Sequence, residues 1–118
     1  NLKRMTHVQF ISFLFELEMN AQILHWKNKY APHMALGEVY EAVEEFRDTY
    51  AEILQRDDLL KGFEPPVVRE DVPPVILIKN AISIVERYRA GLTQSHLQNE
   101  VDTLISSLSG SLYKLKHL

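Results

Sequence analysis

Cysteine is absent from this 118-residue chain, and its absence excludes several kinds of site at once. Disulfide frameworks, thiol catalysis and cysteine-ligated zinc all require a residue that the chain lacks. Glycine is scarce too, and the four scattered glycines form no phosphate-binding loop. No Ser or Thr lies in a recognisable triad context. The sequence therefore gives no support to nucleophilic catalysis or nucleotide binding.

Long apolar runs and an excess of positive charge are also missing. No run approaches the roughly 20 residues of a membrane span, and the N-terminal segment lacks the pattern of a signal peptide. We therefore expect a cytoplasmic protein without a membrane partner. The net charge of -3 argues against a nucleic-acid partner, since phosphate backbones attract clustered Lys and Arg. A basic tail upstream of Asn1 would reverse that last expectation.

What the chain does contain is typical of one globular domain over residues 1–118. Its composition, 46% apolar and 25% charged, suffices for a single core. Apolar residues recur at helical spacing in four segments. Helix A is predicted over about 6–29 and helix B over about 33–60, because Thr6 can cap the first and Pro32 interrupts the pattern before the second.

The second half of the chain begins with a connection rich in proline. Residues 62–74 contain four of the five prolines, and this excludes a helix there. Helix C is predicted over about 74–91, with Pro74 in its first turn. Helix D is predicted over about 95–116, with Ser95 as its cap.

The lengths of the segments between the predicted helices indicate the topology of the bundle. Helix B would be roughly 40 Å long, and about thirteen extended residues reach roughly 43 Å, enough to return C to the level where B starts. We therefore predict an all-α four-helix bundle with the single long B–C crossover of ferritin-like folds. The alternative is an irregular loop between two helical hairpins.

Helix A is apolar on more than one face. Beside its core stripe, four further apolar residues lie round the side: Ile11, Phe15, Met19 and Trp26. A second apolar face usually packs against another chain, so we expect a homodimer or larger homo-oligomer with helix A at the interface. The alternative is that the crossover folds back over this face.

Helix B carries a stripe of acids opposite its core side: Glu38, Glu41, Glu45, Asp48 and Glu52. Such a stripe is usually a solvated face. If it meets helix A of a second subunit, however, the carboxylates must be paired or bind cations, and His25 could supply an imidazole. A site of this composition suits iron, manganese or zinc.

Two motifs and a histidine between them resemble the ferroxidase signature of Dps, the mini-ferritins: His25-Trp26, His33 and Asp48-Thr49-Tyr50-Ala51-Glu52. The resemblance covers about a third of the chain. It implies an intersubunit di-iron site with His25 and His33 as imidazole ligands and Asp48 and Glu52 as carboxylate ligands. It also implies Fe(II) oxidation for iron storage or oxidative protection, with Trp26 as a nearby redox-shielding aromatic.

The whole chain is similar to a group of short Dps-like proteins encoded by tailed phages. Shared features are the His-Trp pair, the run Ala35-Leu36-Gly37-Glu38 and the terminal Leu112-Tyr113-Lys114-Leu115-Lys116. This likeness brings no established activity, and the A–B loop is several residues shorter than in mini-ferritins. The alternative function is therefore a structural or interaction bundle without catalysis, with a virion or host protein as partner, in the host cytoplasm or the virion.

Simpler roles exist for each candidate residue. His25 can bond the last carbonyls of helix A, His33 can lie in water at the start of helix B, and Trp26 can be an interface anchor. Further metal ligands could come from Glu18, Glu41, Glu45, His96 and Glu100. The last two lie one turn apart on helix D, and a surface hydrogen bond between them is the favoured interpretation over a second metal pair.

Overall fold

The computed structural model describes residues 4–57 and 59–118, and within these ranges it consists of four α-helices joined by non-helical segments. The helices are α1 (His7–Lys27), α2 (Tyr30–Leu54), α3 (Pro74–Ala90) and α4 (Ser95–His117). The predicted all-α four-helix bundle is confirmed. Bounds predicted for α1, α3 and α4 agree to within about two residues, the usual uncertainty of helix ends.

α1 begins with a capping box, which explains why the helix starts where it does. The Thr6 hydroxyl accepts a hydrogen bond from the backbone N–H of Gln9 at 3.1 Å, and the Gln9 side chain accepts one from the backbone N–H of Thr6 at 2.9 Å. Two backbone donors that the helix leaves free are thereby satisfied. The cap predicted at Thr6 is therefore formed.

α2 begins three residues earlier than predicted, because Pro32 lies inside its first turn. The first N–H groups of a helix have no partner within it, so a proline there costs no hydrogen bond. The turn between α1 and α2 shrinks accordingly to Asn28 and Lys29. Tyr30, which follows, has a φ of +63°, in the left-handed region that non-glycine residues rarely adopt.

The four helices form a square in which α2 packs against α1 and α4, and α3 packs against the same two helices. At one end of the bundle, Lys114 near the end of α4 pairs with Glu38 near the start of α2. At the other end, the hydroxyls of Tyr50 and Tyr88, near the ends of α2 and α3, lie 2.7 Å apart. Hence α2 and α3 run parallel, as a crossover of full bundle length requires. The predicted long crossover is confirmed.

The crossover occupies 55–73, because α2 ends at Leu54 and not near residue 60 as predicted. It lies along α1, where three polar side chains one turn apart bind its backbone: Ser12, Glu16 and Asn20. Asn20 is only 1% exposed. Its side chain donates to the Val67 carbonyl at 2.9 Å and accepts from the Arg69 N–H at 2.8 Å.

The core lies between all four helices and contains the apolar stripes predicted for each. Phe10 of α1 is fully buried and stacks on the Tyr88 ring at 3.7 Å between centroids. The seam of α4 is buried at four successive positions: Leu97, Val101, Leu104 and Leu108. Burial of this apolar surface is the main stabilising contribution to the bundle.

Candidate functional site

His25 and His33 meet where α1 passes into α2. Their rings are stacked, with centroids 3.7 Å apart and an angle of 18° between the planes. His25 Nδ1 lies 2.5 Å from the backbone oxygen of His33, and His33 Nδ1 lies 2.7 Å from the backbone oxygen of His25. Since a carbonyl oxygen can only accept, each Nδ1 carries the hydrogen. In the neutral ring, Nε2 then keeps its lone pair and is the nitrogen able to bind a metal.

The start of α2 is shaped to fit the His25 ring. A Cβ atom added to Gly37 would lie 3.1 Å from His25 Cε1 and 3.3 Å from its Nδ1, closer than side chains normally approach. The ring also meets Tyr40 edge-on, with centroids 5.3 Å apart. The position of His25 is thus determined by three contacts from α2, and Gly37 is a positioning residue that sequence analysis recognised only as part of a shared run.

The two predicted carboxylate ligands lie far from this histidine pair. Asp48 and Glu52 are exposed on α2, and Asp48 lies eleven residues beyond Gly37, roughly 16 Å along a helix. Within residues 4–57 and 59–118, no group of three or more His, Asp or Glu side chains is placed to hold a metal ion. One chain therefore brings together His25 and His33 but does not bring Asp48 and Glu52 to them.

The additional ligands named from the sequence are also separate. Glu18 pairs with Arg47, which lies over the Phe15 ring, so its carboxylate already has a cationic partner. Glu41 and Glu45 are exposed on α2. His96 is exposed and Glu100 half-buried on α4, and neither belongs to a metal-binding group within the part of the chain described.

Only part of the second apolar face predicted for α1 is exposed. Ile11 is 2% exposed and belongs to the buried core of the chain, so it offers no surface to the predicted subunit interface. Met19 is half-buried, whereas Phe15 is 44% and Trp26 68% exposed. The crossover lies along a different side of α1, the one that carries Asn20, and leaves the two aromatic side chains open.

A hydrogen-bonded chain at the other end of the bundle was missed by sequence analysis. The Tyr88 hydroxyl lies 2.7 Å from the Tyr50 hydroxyl and 2.7 Å from His7 Nδ1. Desolvation by burial raises the pKa of Tyr50 to about 12, and it raises the pKa of Tyr88 as well. His7 had carried no sequence signal, since a contact between residues 81 positions apart is invisible to local spacing.

Comparisons of this chain with protein-family models, with curated proteins and with solved structures found no match. Among the described residues, no helix is both long enough and apolar enough to cross a bilayer.

Proposed function

We propose that the protein is a self-associating, ferritin-like bundle that binds iron between two copies and oxidises Fe(II). The observation that carries the proposal is the tautomer of the histidine pair: both Nδ1 atoms of His25 and His33 are bonded to carbonyls. This bonding leaves both Nε2 lone pairs for a ligand and orients the rings, as the outer hydrogen bonds of metal-ligating histidines do.

The placement of the remaining ligands supports a site between copies. The histidine pair lies near the start of α2, and Asp48 and Glu52 lie toward its end. A two-fold axis between these levels would place the histidines of one copy opposite the acids of the other. Exposed Trp26 near the histidines offers apolar surface for such an interface.

Charge supports the same arrangement. Lys27 is the last residue of α1 and Lys29 lies in the turn that follows, close to the histidines, whereas α2 carries five exposed acids between its middle and its last turn: Glu41, Glu44, Glu45, Asp48 and Glu52. Antiparallel association would set the basic end of one copy against the acidic surface of its partner. The carboxylates would then be neutralised by lysines and by the bound cation.

The donor set fits iron, with manganese and zinc as alternatives. Imidazole nitrogen with hard carboxylate oxygen is a combination that binds all three divalent ions, and open coordination positions favour redox chemistry at iron. Each bound Fe(II) ion would give one electron to an external oxidant, dioxygen or hydrogen peroxide, which would take up protons from solvent and be reduced to water. The chain's own contribution is to hold the ion, to neutralise its charge and to exclude water by the two-fold contact.

The experiment combines light scattering with elemental analysis of the same purified sample, followed by an Fe(II) oxidation assay. The double variant Asp48→Asn, Glu52→Gln should fold like the wild type, since both side chains are exposed in the single chain, but it should lose bound iron and oxidation. Glu86→Gln, an exposed carboxylate on α3, is the matched control. A monomeric wild type, or equal iron in all three proteins, would overturn the proposal.

A second candidate, a non-catalytic interaction bundle, is favoured by one observation. The reciprocal bonds of His25 and His33 already give both histidines a structural role, because they close the α1–α2 turn. On this hypothesis the double change His25→Ala, Asp48→Ala leaves assembly and metal content unchanged. Loss of metal in that variant would eliminate the non-catalytic candidate.

A further inference from the structure

A cavity of about 260 Å³ lies between the start of α1 and the end of α3, away from the histidine pair. His7 and Tyr88 contribute to its wall, and its charged lining residues are Arg4 and Arg87. No carboxylate belongs to the described lining. The cavity is therefore electropositive, in a chain whose net charge is -3.

Among the described residues, these two arginines differ from most others in having no acidic partner. Arg47, Arg69 and Arg89 each form an ion pair with a carboxylate. Within the described ranges no such pair involves Arg4 or Arg87. Guanidinium groups bind phosphate and carboxylate groups strongly, because two oxygens of the anion accept two parallel hydrogen bonds from one arginine. The charge and the donors of this cavity are thus available to a ligand.

The hydrogen bonds of Tyr50 and Tyr88 determine which ring nitrogen of His7 carries the proton. Tyr50 is buried, and among the described residues its hydroxyl bonds only to Tyr88. If Tyr50 donates to Tyr88, then Tyr88 donates to His7 Nδ1, and every buried hydroxyl proton has an acceptor. If Tyr88 donated to Tyr50 instead, the hydroxyl proton of Tyr50 would have no acceptor. His7 Nδ1 is therefore an acceptor, and its hydrogen is on Nε2, as a donor for a molecule in the cavity.

The backbone at the start of α1 adds further N–H hydrogen-bond donors. His7 and Val8 are the first two residues of α1, and their N–H groups have no partner within the helix. The first turn of α1 contains no acidic residue that would compete for them. Residues that carry two guanidinium groups, one imidazole N–H and the free N–H groups of a helix start thus line the same cavity.

We propose that this cavity binds the phosphoryl group of a small phosphorylated molecule or of inorganic phosphate. Both sources present the same three oxygens, which accept hydrogen bonds from arginine, from imidazole N–H and from free backbone N–H groups. The site is independent of the proposed iron site, because none of its residues belongs to that centre.

The test is a titration followed by amide NMR, with inorganic phosphate in one arm and phenyl phosphate in the other. Saturable shifts confined to residues of the cavity, such as Val8 and Gly91, are expected. Tighter binding of phenyl phosphate identifies an organic phosphate site, and equal binding identifies a site for the ion itself. Arg87→Gln should weaken binding at least about tenfold, as loss of a charge-assisted bidentate contact does.

Arg56→Gln is the matched control, because Arg56 is exposed, lies outside the cavity and carries the same charge. Binding by this variant should equal that of the wild type. Far-UV circular dichroism of both variants checks that the helices are intact, which is expected because Arg87 is exposed as well. No saturable shift in either arm, or equal weakening by the two substitutions, would overturn the proposal.

Discussion

The hydroxyl groups of Tyr50 and Tyr88 share a 2.7 Å hydrogen bond in the core, although the two residues are 38 positions apart in sequence. Tyr88 in turn bonds to His7 Nδ1, so three helices are joined by one chain of polar atoms. Buried polar chains of this kind stabilise a fold only when every donor has an acceptor. The loss of stability caused by each substitution therefore depends on which hydroxyl donates the hydrogen bond.

Tyr88→Phe should lower the free energy of unfolding more than Tyr50→Phe. Tyr50→Phe removes one hydrogen bond and leaves Tyr88 donating to His7, a loss of about 1 kcal/mol. Tyr88→Phe leaves the buried Tyr50 proton without an acceptor and the His7 nitrogen without a donor, a loss of roughly 2–4 kcal/mol. Urea denaturation of both variants measures the difference. Equal losses would show that the assigned direction of donation is wrong.

Stability should fall in alkaline solution. Burial raises the pKa of Tyr50 from 10.0 to about 12. Between those values the phenol ionises in the unfolded chain but stays neutral in the folded one, so rising pH favours unfolding. The free energy of unfolding should decrease by up to about 3 kcal/mol for Tyr50 alone over this range. Tyr50→Phe should flatten the profile measured by denaturation at pH 9 to 12; a profile as steep as that of the wild type would contradict this account.

Gly37→Ala should destabilise the protein although alanine is the better helix former. The added Cβ would lie 3.1 Å from His25 Cε1, which forces the ring away from its bond to His33. We expect a net loss of about 1–2 kcal/mol. Gly110→Ala in α4 is the control, since nothing lies within 4 Å of its added Cβ, and it should stabilise by up to about 1 kcal/mol. Thermal unfolding of the pair separates the two effects.

Trp26→Ser should impair self-association without lowering the stability of the isolated chain. The side chain is 68% exposed, so its removal takes little apolar surface from the core. Light scattering across a concentration series should show a weaker assembly, by about tenfold or more for an aromatic anchor. Tyr113→Ser removes a similarly exposed aromatic from α4 and should leave the assembly unchanged. Equal behaviour of the two variants would exclude Trp26 from the interface.

Several features of the fold were predictable because they depend on neighbours in the sequence. The cap at Thr6 and the first turn at Pro74 are decided within four residues, and both are found where expected. The start of α2 was misplaced because Pro32 was treated as a barrier, whereas a first-turn proline is compatible with a helix. The end of α2 was misplaced because Gly62 was treated as the stop signal, whereas the helix ends at Leu54.

The candidate site was less predictable for a different reason. The motif named His25 and His33 as candidates, but their reciprocal carbonyl bonds depend on how tightly α1 turns into α2. The burial of Ile11 depends on the rotation of α1 against α2, which apolar spacing constrains only to a broad face. The site of iron binding stays a prediction that requires a second copy.

By itself, the sequence determined the number and type of the helices and the presence of a long proline-rich connection between the second and third, because periodicity and proline act on adjacent residues. Only the tertiary structure decided which side chains meet: His7 with Tyr88, His25 with Gly37, and Asp48 with neither histidine. The physical reason is that hydrogen bonds and ion pairs form within about 3–4 Å. The relative rotation and offset of two packed helices displace side chains by more than that distance, and only packing of the whole core determines them.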